Sequence, residues 1–148
     1  MIIDETLISI DLDVVTKEEA ITKMSEMAGK GGRLSDLEIY CQSVKKREGE
    51  VSTDMGFGIA IPHGKSEVVL EPFIVFAKLK QPIVWNEEEN SMVDLIFMLG
   101  VPENREDNIH LKIISQLAGK LTDDDFLNDL RTVTEKESVL KHFKTILT

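Results

Sequence analysis

The stretch Ile59-Ala60-Ile61-Pro62-His63-Gly64 decides the fold, because a short apolar run stops there abruptly. A run this short, with β-branched residues in it, predicts a β-strand, and a proline followed two residues later by a glycine predicts its end. Proline fixes its own φ, and glycine adopts backbone conformations that other residues resist. The sequence therefore predicts that His63 lies on a turn at a strand end, where its imidazole is available as a nucleophile.

The composition predicts one globular domain spanning residues 1–148. Hydrophobic residues make up 42% of the chain and charged residues 30%, which is ordinary for a folded protein and too apolar for disorder. The longest uncharged apolar stretches, Phe73–Ala77 and Leu95–Val101, are far shorter than the ~20 residues of a membrane span. The N-terminus lacks the basic and then apolar pattern of a signal peptide. A single cysteine, Cys41, excludes an internal disulfide and predicts a cytoplasmic protein.

Charge and metal-ligand spacing narrow the classes of function. The net charge of −10 disfavours a nucleic-acid surface and favours a basic protein as partner. The three histidines are far apart in the sequence, no His-x-x-x-His pair occurs, and Cys41 has no second cysteine beside it. The sequence therefore predicts neither a metal ion nor an organic cofactor.

Capping boxes, in which a serine or threonine is followed three residues later by an acidic residue, predict where most helices begin. The first predicted helix ends at Gly29, and another is predicted where Ile109, Ile113, Leu117 and Leu121 recur at four-residue spacing. The four predicted caps are Thr16, Ser35, Thr122 and Thr134.

Strands are predicted between these helices. The runs Phe73–Leu79 and Val93–Leu99 are apolar enough to be central strands covered on both faces. Residues Glu50 to Gly58 are polar and punctuated by glycine, which predicts a loop, and Pro82 to Ser91 predict a turn that contains Trp85. Three or four strands interleaved with about five helices predict an α/β layered sandwich.

A second histidine, His110, adds to the chemistry expected of His63. His110 is predicted to lie in the first turns of a helix that begins near Asn104–Asp107. It shares one edge of that helix with Ile114 and Leu117, so its side chain is expected to face inward. A helix N-terminus favours an anion, and a neutral imidazole near pH 7 is a nucleophile whose phosphoramidate passes its phosphoryl group on. The two histidines together suit phosphoryl transfer, although His110 taken alone fits a core histidine better.

A long motif resembles the phosphorylation-site signature of the enzyme IIA domains of the bacterial sugar phosphotransferase system, in the fructose/mannitol type. The motif is Arg47-Glu48-x4-Thr53-x2-Gly56-x-Gly58-Ile59-Ala60-Ile61-Pro62-His63-Gly64. The likeness continues through Trp85, the apolar run over 93–99, Gly100-Val101-Pro102-Glu103 and Asn108-x-His110-Leu111-Lys112. The resemblance therefore extends over nearly the whole chain, and around Trp85 and Val101-Pro102 it favours the fructose branch.

The resemblance implies a phosphotransferase whose intermediate is a phosphohistidine. It implies that His63 accepts a phosphoryl group from the histidine-containing phosphocarrier protein and passes it to a cysteine of the enzyme IIB domain of a sugar permease. It also implies that His110 is the second active-site histidine and that Arg47 is the motif arginine, whose planar charged fork suits phosphoryl oxygens. Thr53 and the amides near Gly56 and Gly58 are further candidates for these oxygens. The implied fold is a three-layer sandwich, a mixed central β-sheet flanked by helices on both sides.

Alternatives remain open at this stage. One is a regulatory, nitrogen-type relative in which phosphorylation of His63 switches binding to another protein, and another is a mannitol or galactitol branch. Arg47 follows Lys45-Lys46, so a solvated surface arginine is a second interpretation of that residue. The chain also departs from the family pattern at Asp54, which we expect to face solvent, at Phe57, which we expect to widen an apolar docking rim, and at Ile109, in place of a frequent glutamate.

Overall fold

The computed structural model describes residues 2–103 and 109–144, with the side chains of all of these except Ile109 and His110. None of the helices in these two ranges is long and apolar enough to cross a membrane. A 3-10 turn at Glu5–Leu7 comes first, and the strands and helices follow in chain order: β1 (Ile8–Leu12), α1 (Lys17–Lys30), α2 (Leu37–Glu50), β2 (Asp54–Gly56), β3 (Ile59–Ala60), β4 (His63–Ser66), β5 (Phe73–Asn86), β6 (Ser91–Pro102), α3 (Ile109–Leu121), α4 (Asp124–Thr132) and α5 (Lys136–Phe143).

The strands form one mixed sheet in the order β1-β5-β6-β3-β2, with β4 paired to β6 as well. Strands β5 and β6 form an antiparallel hairpin, and β1 runs parallel to β5. On the opposite edge of β6, β3 pairs with Leu95 and Ile96, and β4 pairs with 99–102, both in parallel. Two consecutive strands thus share one edge of β6.

Helices cover both faces of this sheet, which confirms the predicted fold class. Side chains alternate between faces along a strand, so Phe73 and Phe76 of β5 point to opposite sides. The Phe73 ring packs against Tyr40 of α2 with ring centroids 5.5 Å apart, whereas the Phe76 ring packs against Phe143 of α5 at 6.1 Å. Residues Phe73–Ala77 and 95–101 are buried without interruption, as predicted for central strands.

The first predicted cap is confirmed, but the second is wrong by one residue. Thr16 accepts a hydrogen bond from the Glu19 N–H at 3.1 Å and begins α1. Helix α2 begins after Asp36, whose carboxylate accepts from the Ile39 N–H at 3.1 Å, and not after Ser35. A carboxylate at this position is favoured by the positive end of the helix dipole. The Ser35 hydroxyl instead donates to the Val68 carbonyl.

The remaining two caps are displaced in the same way. Helix α4 is capped by Asp123, which accepts from the N–H groups of Asp125 at 2.9 Å and Phe126 at 3.3 Å. The predicted cap Thr122 donates its hydroxyl to the Gly119 carbonyl at the end of α3 instead. Helix α5 begins after Glu135 rather than after Thr134, without a side-chain capping bond.

Two predicted irregular segments are wrong in part. Residues 54–56 form β2 instead of belonging to a loop, and β5 continues to Asn86, so the turn before β6 narrows to Glu87–Asn90. Pro82 therefore lies inside a strand. The pairing of β5 with β6 is irregular between Lys78 and Ile83, so the N–H that proline lacks is not required by the ladder there. Trp85 is consequently a buried strand residue and not a turn residue.

Tyr40 fastens α2 to the sheet close to β4. Its side chain is fully buried, and its hydroxyl donates a hydrogen bond of 2.7 Å to the Leu99 carbonyl of β6. Burial raises the pKa of Tyr40 well above its ordinary value of 10.0. Next to this contact, a Cβ on Gly64 of β4 would lie 2.9 Å from the Val44 side chain and 3.0 Å from the Tyr40 ring. Helix α2 therefore lies directly on the backbone of β4.

Replacing Tyr40 with phenylalanine is expected to lower the free energy of unfolding at pH 7 by about 1 kcal/mol, because a buried hydrogen bond is lost. Urea denaturation measures this difference. The raised pKa means that the stabilisation by the neutral phenol is fully present below about pH 10 and is lost as the pH rises through the folded-state pKa. The gap between the two proteins should therefore narrow above about pH 10, and equal stabilities at pH 7 would contradict this role for the hydroxyl.

Candidate phosphoryl-transfer site

His63 lies at the start of β4, directly after an interruption between β3 and β4. Ala60 pairs with Ile96 and His63 pairs with Leu99, so both chains advance by three residues between these two pairs. The Leu99 N–H donates to the Pro62 carbonyl at 3.0 Å across this interruption. The predicted strand is confirmed but ends at Ala60, one residue earlier than expected. The predicted turn is wrong, because the chain keeps its register along β6. The His63 side chain is half-buried.

The hydrogen bond of the imidazole defines its tautomer. His63 Nδ1 lies 2.9 Å from the Ile61 carbonyl oxygen. A carbonyl can only accept, so Nδ1 is the donor and carries the ring proton. In the neutral ring the lone pair is then on Nε2. The side chain is therefore arranged for chemistry at Nε2.

The residue that accepts from His63 is itself held by the segment before β2. The Ile61 N–H donates to the Thr53 carbonyl at 3.1 Å. The Thr53 N–H donates to Glu48 Oε2 at 2.6 Å, and its hydroxyl donates to Glu48 Oε1. Both Thr53 and Glu48 are buried. The hydroxyl that the resemblance assigned to phosphoryl oxygens is thus engaged with a carboxylate in this structure.

The structure places Arg47 in the last turn of α2, beside Glu48. Its side chain is half-buried, and Nη1 donates to the Val51 carbonyl at 2.9 Å. The guanidinium therefore braces the connection between α2 and β2. Its predicted contact with a phosphoryl group remains a prediction.

His110 lies in the first turn of α3, but its side chain is outside the described residues, as are residues 104–108 where the helix was expected to begin. The predicted inward orientation and the anion site near Asn104–Asp107 therefore stay predictions.

Two of the unusual residues take positions that the sequence only partly indicated. Asp54 was expected to face solvent, but it is half-buried and accepts a 2.5 Å hydrogen bond from the Ser52 hydroxyl. Phe57 is 84% exposed, with a φ of 57° that is unusual for a residue other than glycine. An apolar side chain this exposed is consistent with the docking rim expected of it.

Sequence reasoning missed the contact that holds the turn between β2 and β3. Arg131 of α4 donates from Nε and Nη2 to the two carboxylate oxygens of Asp94, both at 2.9 Å, and from Nη2 to the Phe57 carbonyl at 2.5 Å. The N–H groups of Asp94 and Leu95 donate to the Gly58 carbonyl at 2.9 and 3.1 Å. These partners are up to 74 residues apart, so no local sequence pattern indicates them.

A cleft of about 830 Å³ is lined by the start of α1, by the end of α2 with the segment that follows it, and by the turn between β5 and β6. Its lining includes Glu18, Glu50 and Glu87–Glu89, with Trp85 and the exposed side chain of Val15. Carboxylates this close together repel a phosphoryl group. This lining does not favour a phosphoryl group, and His63 is not part of it.

The chain belongs to the family described as "Phosphoenolpyruvate-dependent sugar phosphotransferase system, EIIA 2", whose model matches residues 1–146. The PTS system fructose-specific EIIA component of Haloferax volcanii is 34% identical over 133 residues, which cover 90% of this chain and 86% of that protein. Six further relatives are much longer proteins, of which this chain spans only 17% to 21%. Family membership, which the motif around His63 indicated, is thereby confirmed.

Two solved structures are similar over nearly the whole chain. The Nitrogen Regulatory Protein IIA-Ntr from Neisseria meningitidis has a TM-score of 0.87 at 28% identity, covering 97% of both chains. The complex of enzyme IIA Mtl with phosphorylated enzyme IIB Mtl from Escherichia coli contains a chain with a TM-score of 0.81 at 27% identity, covering 95% of both.

Replacing Gly58 with alanine is expected to destabilise the fold more than replacing Gly56, by a further ~1 kcal/mol. Both glycines have positive φ, of 82° and 83°, so each substitution costs about 1–2 kcal/mol in backbone strain. Only at Gly58 does the added Cβ meet other groups, Asp94 Oδ1 at 2.6 Å and Arg131 Nη2 at 2.7 Å, which must move apart. Thermal and urea unfolding of both variants measure the difference, and equal losses would show that the Arg131 contact contributes nothing to stability.

Proposed function

We propose that this chain is a phosphoryl carrier of the sugar phosphotransferase system, with His63 Nε2 as the atom that accepts and donates the phosphoryl group. The observation that carries the proposal is the hydrogen bond between His63 Nδ1 and the Ile61 carbonyl, which leaves the lone pair of the neutral ring on Nε2. Membership of the enzyme IIA family supplies the reaction class. The proposal assigns the phosphohistidine intermediate to one named atom.

The chemistry consists of two transfers at phosphorus. In the first, Nε2 attacks the phosphorus of a phosphohistidine on the donor, and the donor's N–P bond breaks with its electron pair returning to the donor ring. In the second, a thiolate attacks the same phosphorus, and the Nε2–P bond breaks with its electrons returning to His63. The protein contributes positioning and charge stabilisation, because the phosphoryl group itself is the reacting unit. Throughout, Nδ1 keeps its proton and donates a hydrogen bond to the Ile61 carbonyl, which stabilises positive charge on the phosphorylated ring.

Arg47 and His110 are proposed to stabilise the bound phosphoryl group. Arg47 stands at the end of the helix that packs on β4, and its guanidinium has donors beyond the one that contacts the Val51 carbonyl. His110 begins the helix that follows β6, the strand to which His63 is paired. Each would hydrogen-bond the phosphoryl oxygens without forming the covalent bond.

The proposed partners are the histidine-containing phosphocarrier protein as donor and an enzyme IIB domain as acceptor. The solved relative in complex with phosphorylated enzyme IIB supports the acceptor. The 34% identity to a fructose-specific EIIA component supports the fructose branch and uptake of a fructose-type sugar. The net charge of −10 supports a basic docking surface on the donor.

A regulatory role is the second candidate function. The observation that favours it is the similarity to the nitrogen regulatory protein, with a TM-score of 0.87. Both functions use phosphorylation of His63, and they differ in whether an enzyme IIB cysteine receives the group. Incubating the phosphorylated protein with a panel of enzyme IIB domains distinguishes them, because only a carrier loses its phosphate to one of them at a catalytic rate.

Replacing His63 with alanine is expected to abolish phosphorylation when enzyme I, the phosphocarrier protein and phosphoenolpyruvate are supplied. The measurement is acid-labile phosphate on the protein, by intact mass and by ³¹P NMR, where the wild type should show phosphorus on Nε2. His142→Ala is the matched control, because His142 lies on α5 in contact with the Phe126 ring and should leave phosphorylation unchanged. Acid-labile phosphate on the His63→Ala protein would refute the assignment.

Replacing His110 with alanine is expected to preserve phosphorylation of His63 and to slow onward transfer to enzyme IIB. The physical reason is that a hydrogen-bonding group for the phosphoryl oxygens is lost while the nucleophile is intact. Rapid-quench kinetics of each half-reaction measure the two rates separately. Normal donation by this variant would exclude His110 from the reaction.

A further inference from the structure

We infer that Glu48 is a positioning residue that keeps the ring proton of His63 on Nδ1, acting through Thr53 and Ile61. Four residues from three segments are joined by consecutive hydrogen bonds that end at the imidazole. The inference rests on the proposed function, in which Nε2 must carry a lone pair. It adds a residue that touches neither the phosphoryl group nor the reacting nitrogen.

The first step fixes the position of Thr53. Glu48 is only 5% exposed and Thr53 only 6%, so neither side chain is free to reorient in solvent. Each oxygen of the Glu48 carboxylate accepts one hydrogen bond from Thr53, Oε2 from the N–H at 2.6 Å and Oε1 from the hydroxyl. Hydrogen bonds to an ionised carboxylate are stronger than those between neutral groups. Two such bonds to one residue fix the orientation of Thr53 as well as its place.

The second step transmits this position to Ile61. The Thr53 carbonyl accepts from the Ile61 N–H at 3.1 Å, which extends the pairing of β2 with β3 by one residue beyond Ala60. The peptide unit that bears the Ile61 carbonyl ends at Pro62, whose nitrogen has no hydrogen to donate. The position of that peptide unit therefore depends on the hydrogen bonds of its two neighbours. On one side the Ile61 N–H donates to the Thr53 carbonyl, and on the other the Pro62 carbonyl accepts from the Leu99 N–H.

The third step sets the protonation of the ring. A neutral imidazole carries its proton on either nitrogen, and the hydrogen bond made by one nitrogen decides which. The Ile61 carbonyl, 2.9 Å from Nδ1, favours the proton on that atom. If this carbonyl were displaced, part of the population would carry the proton on Nε2, where it blocks nucleophilic attack. Glu48 thus contributes to the reaction by keeping the reactive tautomer populated.

The test replaces Glu48 with glutamine, which keeps the size of the side chain but puts a donor in place of one carboxylate oxygen. The control is Glu50→Gln, which makes the same change of charge at an exposed position two residues further along α2. The first readout is the ring ¹⁵N NMR spectrum of His63 in the unphosphorylated protein, which reports which nitrogen is protonated. The second is the rate of phosphorylation by the phosphorylated phosphocarrier protein at saturating concentration.

We expect Glu48→Gln to show a mixture of tautomers and a phosphorylation rate about tenfold lower, less than the roughly 100-fold loss that a 1 Å misplacement of a reacting group can cause. Glu50→Gln should match the wild type in both readouts. A lower rate with an unchanged tautomer would overturn the inference, because Glu48 would then act in another way. Unchanged values of both would overturn it as well, provided that circular dichroism shows a folded protein.

Thr53 variants decide the question if Glu48→Gln fails to fold. Thr53→Val removes the hydroxyl and keeps the backbone bonds, so it should shift the tautomer in the same direction, whereas Thr53→Ser restores the hydroxyl and should restore the wild-type spectrum. A wild-type spectrum for Thr53→Val would overturn the inference. The NMR readout needs no partner protein, so it decides the role of Glu48 even if the wild type fails to accept a phosphoryl group, a result that would count against the proposed function alone.

Discussion

The pairing of β3 and β4 with one edge of β6 is the constraint on which the rest of this structure depends. The interruption at Ile61 and Pro62 removes two residues from the ladder without changing the register. Ala60 pairs with Ile96 and His63 pairs with Leu99, so both strands advance by three residues between the two pairs. Strand β6 is buried from Leu95 to Val101 and held on its other edge by β5. A buried strand, paired on both edges, thus supports the backbone of His63.

This arrangement orders a histidine for the chemistry proposed for it. Its backbone is fixed by a strand partner, and one ring nitrogen is occupied by a neighbouring carbonyl. The rotation and tautomerism that would otherwise divide the ring among several states are restricted before any partner arrives. Catalysis by preorganisation requires little more from a carrier, because the phosphoryl group brings its own reactivity.

Much of this fold could be predicted from the sequence, and the exceptions have physical causes. The central strands are uninterrupted apolar runs, and buried strands of that kind are indicated by composition alone. Strand β4 was missed because its partner β6 lies far along the chain and two of its four residues are His63 and Gly64. Strand β2, which pairs with the neighbouring β3, was missed because it is only three residues long and contains Asp54 and Gly56. Three helix caps were wrong by one residue, in two cases because an aspartate next to the predicted serine or threonine accepts the capping bonds.

The residues of the candidate site also differ in whether local sequence indicates them. His63 could be found because a proline and a glycine flank it in the sequence, which is local information. The contacts of Arg131 with Asp94 and Phe57 could not, because an ion pair between distant segments leaves no periodic signal. The role inferred for Glu48 falls between these cases, since the motif contains the residue but only the folded structure shows that both its oxygens accept hydrogen bonds from Thr53.

The close approach of α2 to Gly64 restricts which residue can follow His63 in this chain. A Cβ at that position would lie 2.9 Å from the Val44 side chain and 3.0 Å from the Tyr40 ring, so these groups would have to shift. The glycine that follows the histidine is therefore demanded by interlayer packing rather than by reactivity. A larger residue at position 64 would thus disturb the seating of α2 and the backbone that follows His63 together.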